Sequence, residues 1–356
     1  MIQATATPNE TGEGPRVLFF ADAGPTVGGG HVMRCLTLAQ ALRARGAACG
    51  FIATAAAGGV LDAFAGEGVE RVGASGDSAE AIAAAARRWL ADAVVVDHYG
   101  FERGHEARLR AAGALLMVLD DLKRGHDCDL LLDSNIGRAA ADYPGLDALT
   151  GPAFALVRPA FAERRPAALA RRARAGPPRR ILVSLGLTDL GAVTARVVEA
   201  ILPDLGDARL EVVLGGAAPS QGRLAALAAR DGRVRLHVNA QDMPALTAEA
   251  DLAIGAGGSS TWERCCLGLP TLLIVLADNQ RPNAQALEAA GAALTLEAGA
   301  AGFEDTLRAL LRRLREDAGP RRRMSKAAAA LCDGRGADTV ALRLLATIGS
   351  RETPYR

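Results

Sequence analysis

The sequence has no excess of charge of either sign and no cysteine motif, and these absences exclude several classes of protein. Its 356 residues include 41 Lys and Arg against 40 Asp and Glu, for a formal net charge of +1. The charge therefore gives no electrostatic reason to expect nucleic acid or an anionic membrane as a partner. The six cysteines form no C-x-x-C pair and no zinc-type spacing, which favours reduced thiols in a cytoplasm.

Long apolar runs are also missing from the chain. No run approaches the ~18 residues that a membrane span needs. Residues 1–15 have neither the basic nor the apolar region of a signal peptide, and we expect a disordered lead-in there. With 50% hydrophobic and 23% charged residues, the composition is that of a globular protein. We expect no cofactor, and no obligate protein partner is evident from the sequence.

The chain does contain a regular alternation of short apolar runs and alanine-rich helical segments. In the first half the runs include RVLFF (16–20), AVVVD (93–97) and DLLLDSN (129–135). A second series extends from ILVSLG (181–186) to TLLIVL (271–276). Continuous apolar strands of this kind are typical of parallel sheets that helices cover on both faces. The sequence therefore predicts an α/β protein with two doubly wound, Rossmann-like domains and a ligand in the cleft between them.

Domain boundaries follow from the length and from one change of composition. At roughly 150 residues per domain, the length favours two domains. The segment RRPAALARRARAGPPRR (164–180) loses the apolar pattern and gains proline and charge, which predicts a solvated linker over 164–179. We expect an N-terminal domain over 16–163, a C-terminal domain over 180–335 and a terminal helical segment over 336–356.

The most specific motif of the C-terminal domain is GAGGSSTWE (255–263). An apolar strand runs into Gly257 and Gly258, and a helix is predicted to begin at the serines that follow. Glycines permit close backbone approach, and the amides of a first helical turn attract a phosphate. The hydroxyl groups of Ser259, Ser260 and Thr261 either donate to that phosphate or cap the helix.

Further polar residues follow on the same side of the predicted sheet. Glu263 lies in the first turns of the same helix, where a carboxylate either accepts hydrogen bonds from a ribose diol or complements the helix dipole. Asn279 and Gln280 follow the next strand, where amides suit sugar hydroxyl and acetamido groups. Residues suited to binding phosphate, ribose and sugar on successive loops together predict a sugar-nucleotide site.

The first domain has its own glycine-rich segment, GGGHVMRC (28–35), directly after its first strand. Gly29 and Gly30 would let the loop approach a ligand closely, and Arg34 follows His31 one helical turn later. An imidazole titrates near neutral pH, so it can take a proton from water. His31 is therefore either a catalytic base or one of the structural histidines that are common in loops.

Several segments, in order, resemble the landmarks of the PseG family, the UDP-2,4-diacetamido-2,4,6-trideoxy-β-L-altropyranose hydrolases of pseudaminic acid biosynthesis. The resemblance covers roughly residues 16–300. It rests on six segments: GGGHVMRCLTLAQAL (28–42), VVVDHYG (94–100), VLDD (118–121), VRPAF (157–161), SLGLTD (184–189) and GAGGSSTWERCCLGLP (255–270). The second half is also similar to the donor half of MurG-type GT-B glycosyltransferases.

The resemblance implies a GT-B fold, with a C-terminal helix crossing back onto the first domain, and hydrolysis of a UDP-sugar without a metal. His31 would be the base for an inverting attack of water on the anomeric carbon. Tyr99 would lie close to the sugar as the second catalytic residue, although it could equally be a packing residue. Arg158 would either touch the substrate or pair at the hinge, and the segment around Met243 would lie against uracil.

Other polar residues are interpreted as structural. Asp120 and Asp121 are adjacent and would point in different directions, so we interpret them as loop and cap residues instead of a metal site. Asp97 and His98 are interpreted as structural residues at a strand end, and Trp262 as a core residue. His105, His126 and His237 have no partner that the sequence identifies.

Departures from the family pattern leave the exact sugar open. Phe20 and Gly24 stand where the family has an arginine and a serine, and Leu187 replaces a glycine. Two other functions stay possible at this point: a GT-B glycosyltransferase that uses a UDP-sugar donor, and a non-catalytic sugar-nucleotide-binding protein.

Overall fold

A computed structural model describes residues 14–24, 27–113, 115–173 and 176–351. The predicted lead-in lies outside the described residues, apart from Gly14 and Pro15. The chain divides into two compact units. The first takes in the described residues of 1–23, 31–156 and 336–356, and the second takes in those of 24–30 and 157–335.

The first unit is built on a parallel sheet with strand order β3-β2-β1-β4-β5-β6-β7. Its strands are β1 (Arg16–Ala21), β2 (Ala48–Ile52), β3 (Glu70–Val72), β4 (Ala93–Asp97), β5 (Leu115–Leu119), β6 (Leu130–Asp133) and β7 (Ala148–Thr150). Helices connect them: α1 (Gly30–Arg43), α2 (Ala55–Phe64), α3 (Ala79–Arg88) and α4 (Arg103–Ala111). The order changes direction between β1 and β4, where doubly wound sheets bind ligands beyond the carboxyl ends of their strands.

The second unit has a parallel sheet with strand order β10-β9-β8-β11-β12-β13. Its strands are β8 (Arg180–Ser184), β9 (Arg209–Leu214), β10 (Val234–Val238), β11 (Leu252–Ala256), β12 (Thr271–Val275) and β13 (Leu294–Glu297). Its helices are α5 (Pro159–Arg172), α6 (Val193–Ile201), α7 (Gln221–Arg230), α8 (Met243–Glu249), α9 (Ser260–Cys266), α10 (Arg281–Ala289), α11 (Phe303–Glu316) and α12 (Ala318–Leu331). The order changes direction between β8 and β11.

The C-terminal helix α13 (Gly336–Gly349) belongs to the first unit. Its Val340 and Leu344 are fully buried in a core that also contains Phe19 and Phe51, whose rings stack 4.7 Å apart. Because neighbouring residues of a strand face opposite sides of a sheet, Phe20 packs instead in the core beneath α3 and α4. Neither α13 nor any other helix in the described part of the chain has the length and hydropathy of a membrane span.

The segment 164–179 is not the solvated linker that its composition predicts, because most of it forms helix α5. The guanidinium of Arg165 donates to Ala329 O at 2.7 Å and to Cys332 O at 2.9 Å. The buried Arg172 donates to Thr247 O at 2.8 Å and to Ala250 O at 3.2 Å. These carbonyl groups lie at the ends of α12 and α8, where no further helical turn supplies N–H groups to donate to them. The arginines therefore cap helices, and the chain passes between the units after Leu156.

Leu90 closes α3 in a left-handed conformation that an L side chain rarely adopts. Its φ is 52°, its side chain is 54% exposed, and its N–H donates to Arg87 O at 3.1 Å. A residue with a Cβ pays roughly 1 kcal/mol for this conformation and glycine does not. We expect Leu90→Gly to raise the free energy of unfolding by about 0.5–1 kcal/mol in urea denaturation.

Leu90→Ala is the matched control, because it removes the exposed side chain and keeps the Cβ. It should leave the unfolding midpoint close to that of the unchanged protein. Equal stabilisation by both variants would show that the exposed leucine, and not the backbone conformation, is the source of the cost.

Candidate active site

His31 lies in the first turn of α1 and is held by the last residue of β4. Its Nδ1 is 2.6 Å from Oδ1 of Asp97 and 3.2 Å from the carbonyl oxygen of Asp97. Asp97 is fully buried. A proton on Nδ1 satisfies either acceptor and leaves Nε2 as the basic nitrogen. No described residue forms a hydrogen bond with Nε2, so the imidazole has the arrangement that a general base requires.

Arg34 binds the same carboxylate from the next turn of α1. Its Nε lies 2.5 Å from Asp97 Oδ2 and its Nη2 lies 2.5 Å from Asp97 Oδ1. Burial by itself would raise the pKa of Asp97, but the charges of Arg34 and His31 outweigh it and hold that pKa well below its usual range. The sequence predicts a substrate contact for Arg34, whereas the structure engages its guanidinium with carboxylates of the protein.

Tyr99 and Asp121 complete this cluster at the carboxyl ends of β4 and β5. The hydroxyl of Tyr99 donates to Asp121 Oδ2 at 3.1 Å, and the Tyr99 ring stands edge-on to His31 with centroids 4.6 Å apart. Asp121 Oδ2 also lies 3.3 Å from Nη1 of Arg34. The structure thus brings the two predicted catalytic residues into contact and adds Asp97 and Asp121, which the sequence suggested were structural. A carboxylate at the end of a strand beside the reversal of strand order is the signal that identifies Asp97.

A second buried network lies next to Tyr99. His126 Nδ1 lies 2.8 Å from Glu106 Oε1, and its Nε2 lies 3.3 Å from Asp120 Oδ2. Asp120 also accepts from Arg124 Nε at 3.1 Å, while Arg124 Nη1 donates to Tyr99 O at 2.8 Å. Asp120 and His126 therefore anchor the backbone that carries Tyr99.

Phe20, Gly24 and Leu187, which depart from the family pattern, each have a different structural environment. Phe20 is fully buried and stacks on His98 at 4.9 Å, so its side chain fills the core. Gly24 has a φ of 153°, a conformation that L side chains rarely adopt. Leu187 accepts a hydrogen bond from Gly215 N at 3.0 Å through its carbonyl oxygen, which any residue supplies.

In the second unit, the glycine-rich loop joins β11 to α9. The N–H of Gly257 donates to Gln280 Oε1 at 3.3 Å, and the same oxygen accepts from Leu276 N at 3.1 Å. A Cβ on Gly257 would lie 3.1 Å from the Cβ of Gln280, so this position is crowded. Gln280, predicted to contact the sugar, thus uses its carbonyl oxygen to tie the loop to the end of β12.

The buried Arg264 holds the loop from below. It donates to Ala256 O at 2.6 Å, to Ser260 Oγ at 3.0 Å and to Thr261 Oγ1 at 3.0 Å. Burial lowers the pKa of Arg264 to about 10. Arg264 was not among the predicted site residues, although its place four positions after Ser260 on the same predicted helix is a signal that the sequence contains.

The start of α9 has donors that no protein group accepts from among the described residues. Ser259 is the N-cap residue, yet its hydroxyl makes no capping hydrogen bond. The N–H groups of Gly258, Ser259 and Ser260 donate to no acceptor among the described residues. The loop therefore presents unpaired donors at the carboxyl end of β11, while the hydroxyl groups of Ser260 and Thr261 contact Arg264.

Glu263 and Arg158 form an ion pair within the second unit. Glu263 Oε1 lies 3.2 Å from Nη2 of Arg158, and burial raises the pKa of Glu263 although Arg158 opposes the shift. Arg158 Nε is buried and has no acceptor among the described residues. The two predicted substrate contacts are thus neighbours. Of the other predicted residues, Asn279 is exposed after β12, and Met243 begins α8 behind the cap Asp242.

The chain is similar to known proteins in part of its sequence and in its fold. Residues 224–339 match the model of the Glycosyltransferase family 28 C-terminal domain. Over 94% of this chain and 100% of the other, the structure is similar to MurG of Acinetobacter baumannii, with a TM-score of 0.67 and 18% sequence identity. The chain has the GT-B fold. This confirms the predicted fold class of two parallel-sheet α/β domains.

Two curated relatives match shorter stretches. The chain is 31% identical over 160 residues to the spore coat polysaccharide biosynthesis protein SpsG of Bacillus subtilis, covering 44% of this chain and 47% of that protein. It is 28% identical over 132 residues to the UDP-2,4-diacetamido-2,4,6-trideoxy-beta-L-altropyranose hydrolase of Campylobacter jejuni, covering 37% of this chain and 46% of that protein. These matches span about half the length of the relatives.

The network beside Tyr99 should make stability depend on pH. Burial alone would lower the pKa of His126, but Asp120 and Glu106 raise it to about 9. A folded-state pKa above the ordinary value near 6.5 stabilises the protein fully below about pH 6.5, and this contribution is lost as the pH rises through 9. The difference in unfolding free energy between the unchanged protein and His126→Gln should shrink by on the order of 3 kcal/mol between pH 6 and pH 9.5.

The measurement is urea denaturation at several pH values, with His105→Gln as the control for the loss of an imidazole from the same unit. A difference between the unchanged protein and His126→Gln that stays constant across this pH range would contradict the charge pairing.

Proposed function

We propose that the protein is an enzyme that hydrolyses a UDP-linked 2,4-diacetamido-2,4,6-trideoxy hexose to UDP and the free sugar. The observation that carries this proposal is the Asp97–His31 pair. It holds an imidazole by Nδ1, as a base that activates water requires. We infer a cytoplasmic role in supplying a sugar for nonulosonic acid synthesis, on the strength of the family resemblance.

The choice of UDP as the leaving group is supported by the second unit. Its residues 224–339 match a glycosyltransferase family 28 domain, and the unpaired N–H groups at Gly258, Ser259 and Ser260 suit a diphosphate. The choice of sugar is supported by the name of the Campylobacter jejuni relative. Glu263 and Arg158 are the residues that we assign to the ribose and the diphosphate.

The proposed reaction is a single displacement. A water oxygen attacks the anomeric carbon while His31 Nε2 takes the proton of that water. The bond between the anomeric carbon and the oxygen of the β-phosphate breaks, and UDP leaves with the electron pair, so the configuration inverts. UDP is a weak base and needs stabilisation of its charge more than a strong acid, and amide donors near Ser259 would supply that.

The remaining contacts are assigned by resemblance. Asn279 and Gln280 would face the sugar, Tyr99 would lie beside it, and Met243 would lie against the uracil. Gly29 and Gly30 would keep the loop before His31 free of side chains. Thr261 and Gly257 would shape the phosphate loop, which agrees with the buried position of the Thr261 side chain.

A glycosyltransferase is the alternative that a specific observation favours, because residues 224–339 match a glycosyltransferase family model. In that reaction an acceptor alcohol takes the place of water, and His31 would take the proton of its hydroxyl. The UDP half of the site would be the same. The two reactions differ in whether UDP appears without an acceptor.

The direct test is to incubate the purified protein with UDP-2,4-diacetamido-2,4,6-trideoxy-β-L-altropyranose and to follow UDP by phosphorus NMR. We expect release without any acceptor, and a fall in kcat of about 10²- to 10⁴-fold in His31→Gln, because the general base is lost. His237→Gln is the matched control, since its imidazole pairs with Glu211 at 2.7 Å on another sheet.

The outcomes separate the candidate functions. Release that begins only when an acceptor alcohol is added would establish the transferase, and UDP binding without release under either condition would establish a binding protein. Full activity in His31→Gln would refute the mechanism even if hydrolysis occurs.

The assignment of Glu263 has a separate test in UDP binding. Glu263→Gln keeps the shape of the side chain and removes its charge, which weakens hydrogen bonds from a ribose diol. We expect the Kd for UDP, measured by calorimetry, to rise about tenfold. Glu304→Gln is the control, because Glu304 is also a first-turn acid paired with an arginine, Arg196 at 2.6 Å. Equal effects of both variants would remove Glu263 from the UDP site.

A further inference from the structure

The carboxylate of Asp97 is shared between two cationic or potentially cationic groups. Its Oδ1 lies 2.6 Å from His31 Nδ1 and 2.5 Å from Arg34 Nη2, while Oδ2 lies 2.5 Å from Arg34 Nε. The side chain of Asp97 is 1% exposed and that of Arg34 is 14% exposed. Both oxygens of this buried carboxylate therefore contact the Arg34 guanidinium, and Oδ1 also contacts the His31 imidazole.

This sharing matters for a base. An unpaired buried carboxylate beside an imidazole stabilises the imidazolium, which cannot accept another proton. A guanidinium on the same carboxylate has the opposite effect, because its charge repels a second positive charge nearby. Burial alone would lower the pKa of Arg34, but Asp97 raises that pKa well above its usual range, so the guanidinium stays charged and this opposition is constant.

Each nitrogen of the Arg34 guanidinium contacts a carboxylate of the protein in this arrangement. Nε and Nη2 bind Asp97, and Nη1 lies 3.3 Å from Asp121 Oδ2. Asp121 in turn accepts from the hydroxyl of Tyr99 at 3.1 Å. Arg34 is thus fixed from two sides, and it fixes the rotamer of Asp97.

We propose that Arg34 is a positioning residue for His31. Its two-point pair fixes the Asp97 carboxylate against Nδ1 and offsets the charge that this carboxylate presents to the imidazole, so that Nε2 is the nitrogen left to accept a proton from water. The catalytic meaning of this inference rests on the proposed function, whereas its structural part does not.

The other groups around His31 do not replace this effect. Burial raises the pKa of Cys35 and lowers that of His98, so both are neutral near pH 7. The ring of Tyr99 packs roughly perpendicular to the His31 ring and carries no charge toward it. Among the described residues, the titratable and charged groups that face His31 or its direct neighbours are Asp97, Arg34, Cys35, His98, Tyr99, Asp22 and Asp121. Arg34 is the permanent cation of this set.

The first test is an NMR titration of the full-length protein with labelled histidine, in which His31→Gln identifies the His31 signals. In Arg34→Gln we expect the midpoint of the His31 titration to move up by about one pH unit or more relative to the unchanged protein. Arg45→Gln is the matched control, because Arg45 follows the same helix and pairs instead with Asp338 at 2.9 Å. An unmoved or lowered midpoint in Arg34→Gln would overturn the inference.

Two further variants protect the test against misfolding of Arg34→Gln, which leaves a buried carboxylate without its partner. Arg34→Lys keeps the charge and loses the two-point geometry, so we expect a smaller shift of the same sign. The double variant Arg34→Gln, Asp97→Asn removes both charges, and its His31 midpoint should lie at or below that of the unchanged protein. A raised midpoint in the double variant would overturn the inference.

A kinetic arm separates this role from substrate contact. In Arg34→Gln the acidic limb of the pH profile for kcat of UDP release should move up by the same amount, with a roughly tenfold loss at pH 6 and recovery at high pH. A raised KM with an unmoved pH profile would make Arg34 a substrate contact and refute the inference. If even the unchanged protein releases no UDP, the proposed function fails, and the NMR result still decides the role of Arg34.

Discussion

The site in the first unit depends on the contacts of the buried Asp97 carboxylate with Arg34 and His31. Removing a carboxylate from water costs several kcal/mol, and the fold tolerates it because Arg34 and His31 meet the charge with short contacts. That requirement fixes the first two turns of α1 against the end of β4. Tyr99 and Asp121 then follow from the same arrangement, because each contacts a member of this cluster.

The second unit also buries a charged group, the guanidinium of Arg264, and satisfies it with hydrogen bonds. Arg264 lies under the loop after β11 and donates to one carbonyl oxygen and two hydroxyl groups. It holds the loop, while the N–H groups of Gly258, Ser259 and Ser260 have no acceptor among the described residues. In both units, the polar clusters around Asp97 and Arg264 lie where the order of the strands reverses. This point is between β1 and β4 in the first unit and between β8 and β11 in the second. The fold thus accounts for the position of each cluster, and local ion pairs account for its geometry.

The fold class and the positions of the glycine-rich loops were predictable because they depend on local sequence. Apolar runs ending in polar residues predict parallel strands, and glycines before His31 and Ser259 mark the loops. The partners were not predictable, since Arg34 and Asp97 are 63 positions apart in the chain and meet because β1 pairs with β4. The arginines of 164–179 were misjudged for the same reason: composition alone predicts a solvated linker, and their acceptors lie on distant helices.

The proposed reaction requires that water attack the anomeric carbon of a UDP-sugar and not the phosphorus. The most direct measurement is a single turnover in ¹⁸O-labelled water with prompt mass analysis of both products. The account predicts one ¹⁸O atom in the released sugar and none in UDP, because the bond between carbon and oxygen breaks. Label in the β-phosphate of UDP would mean that water attacks phosphorus, and it would contradict the account.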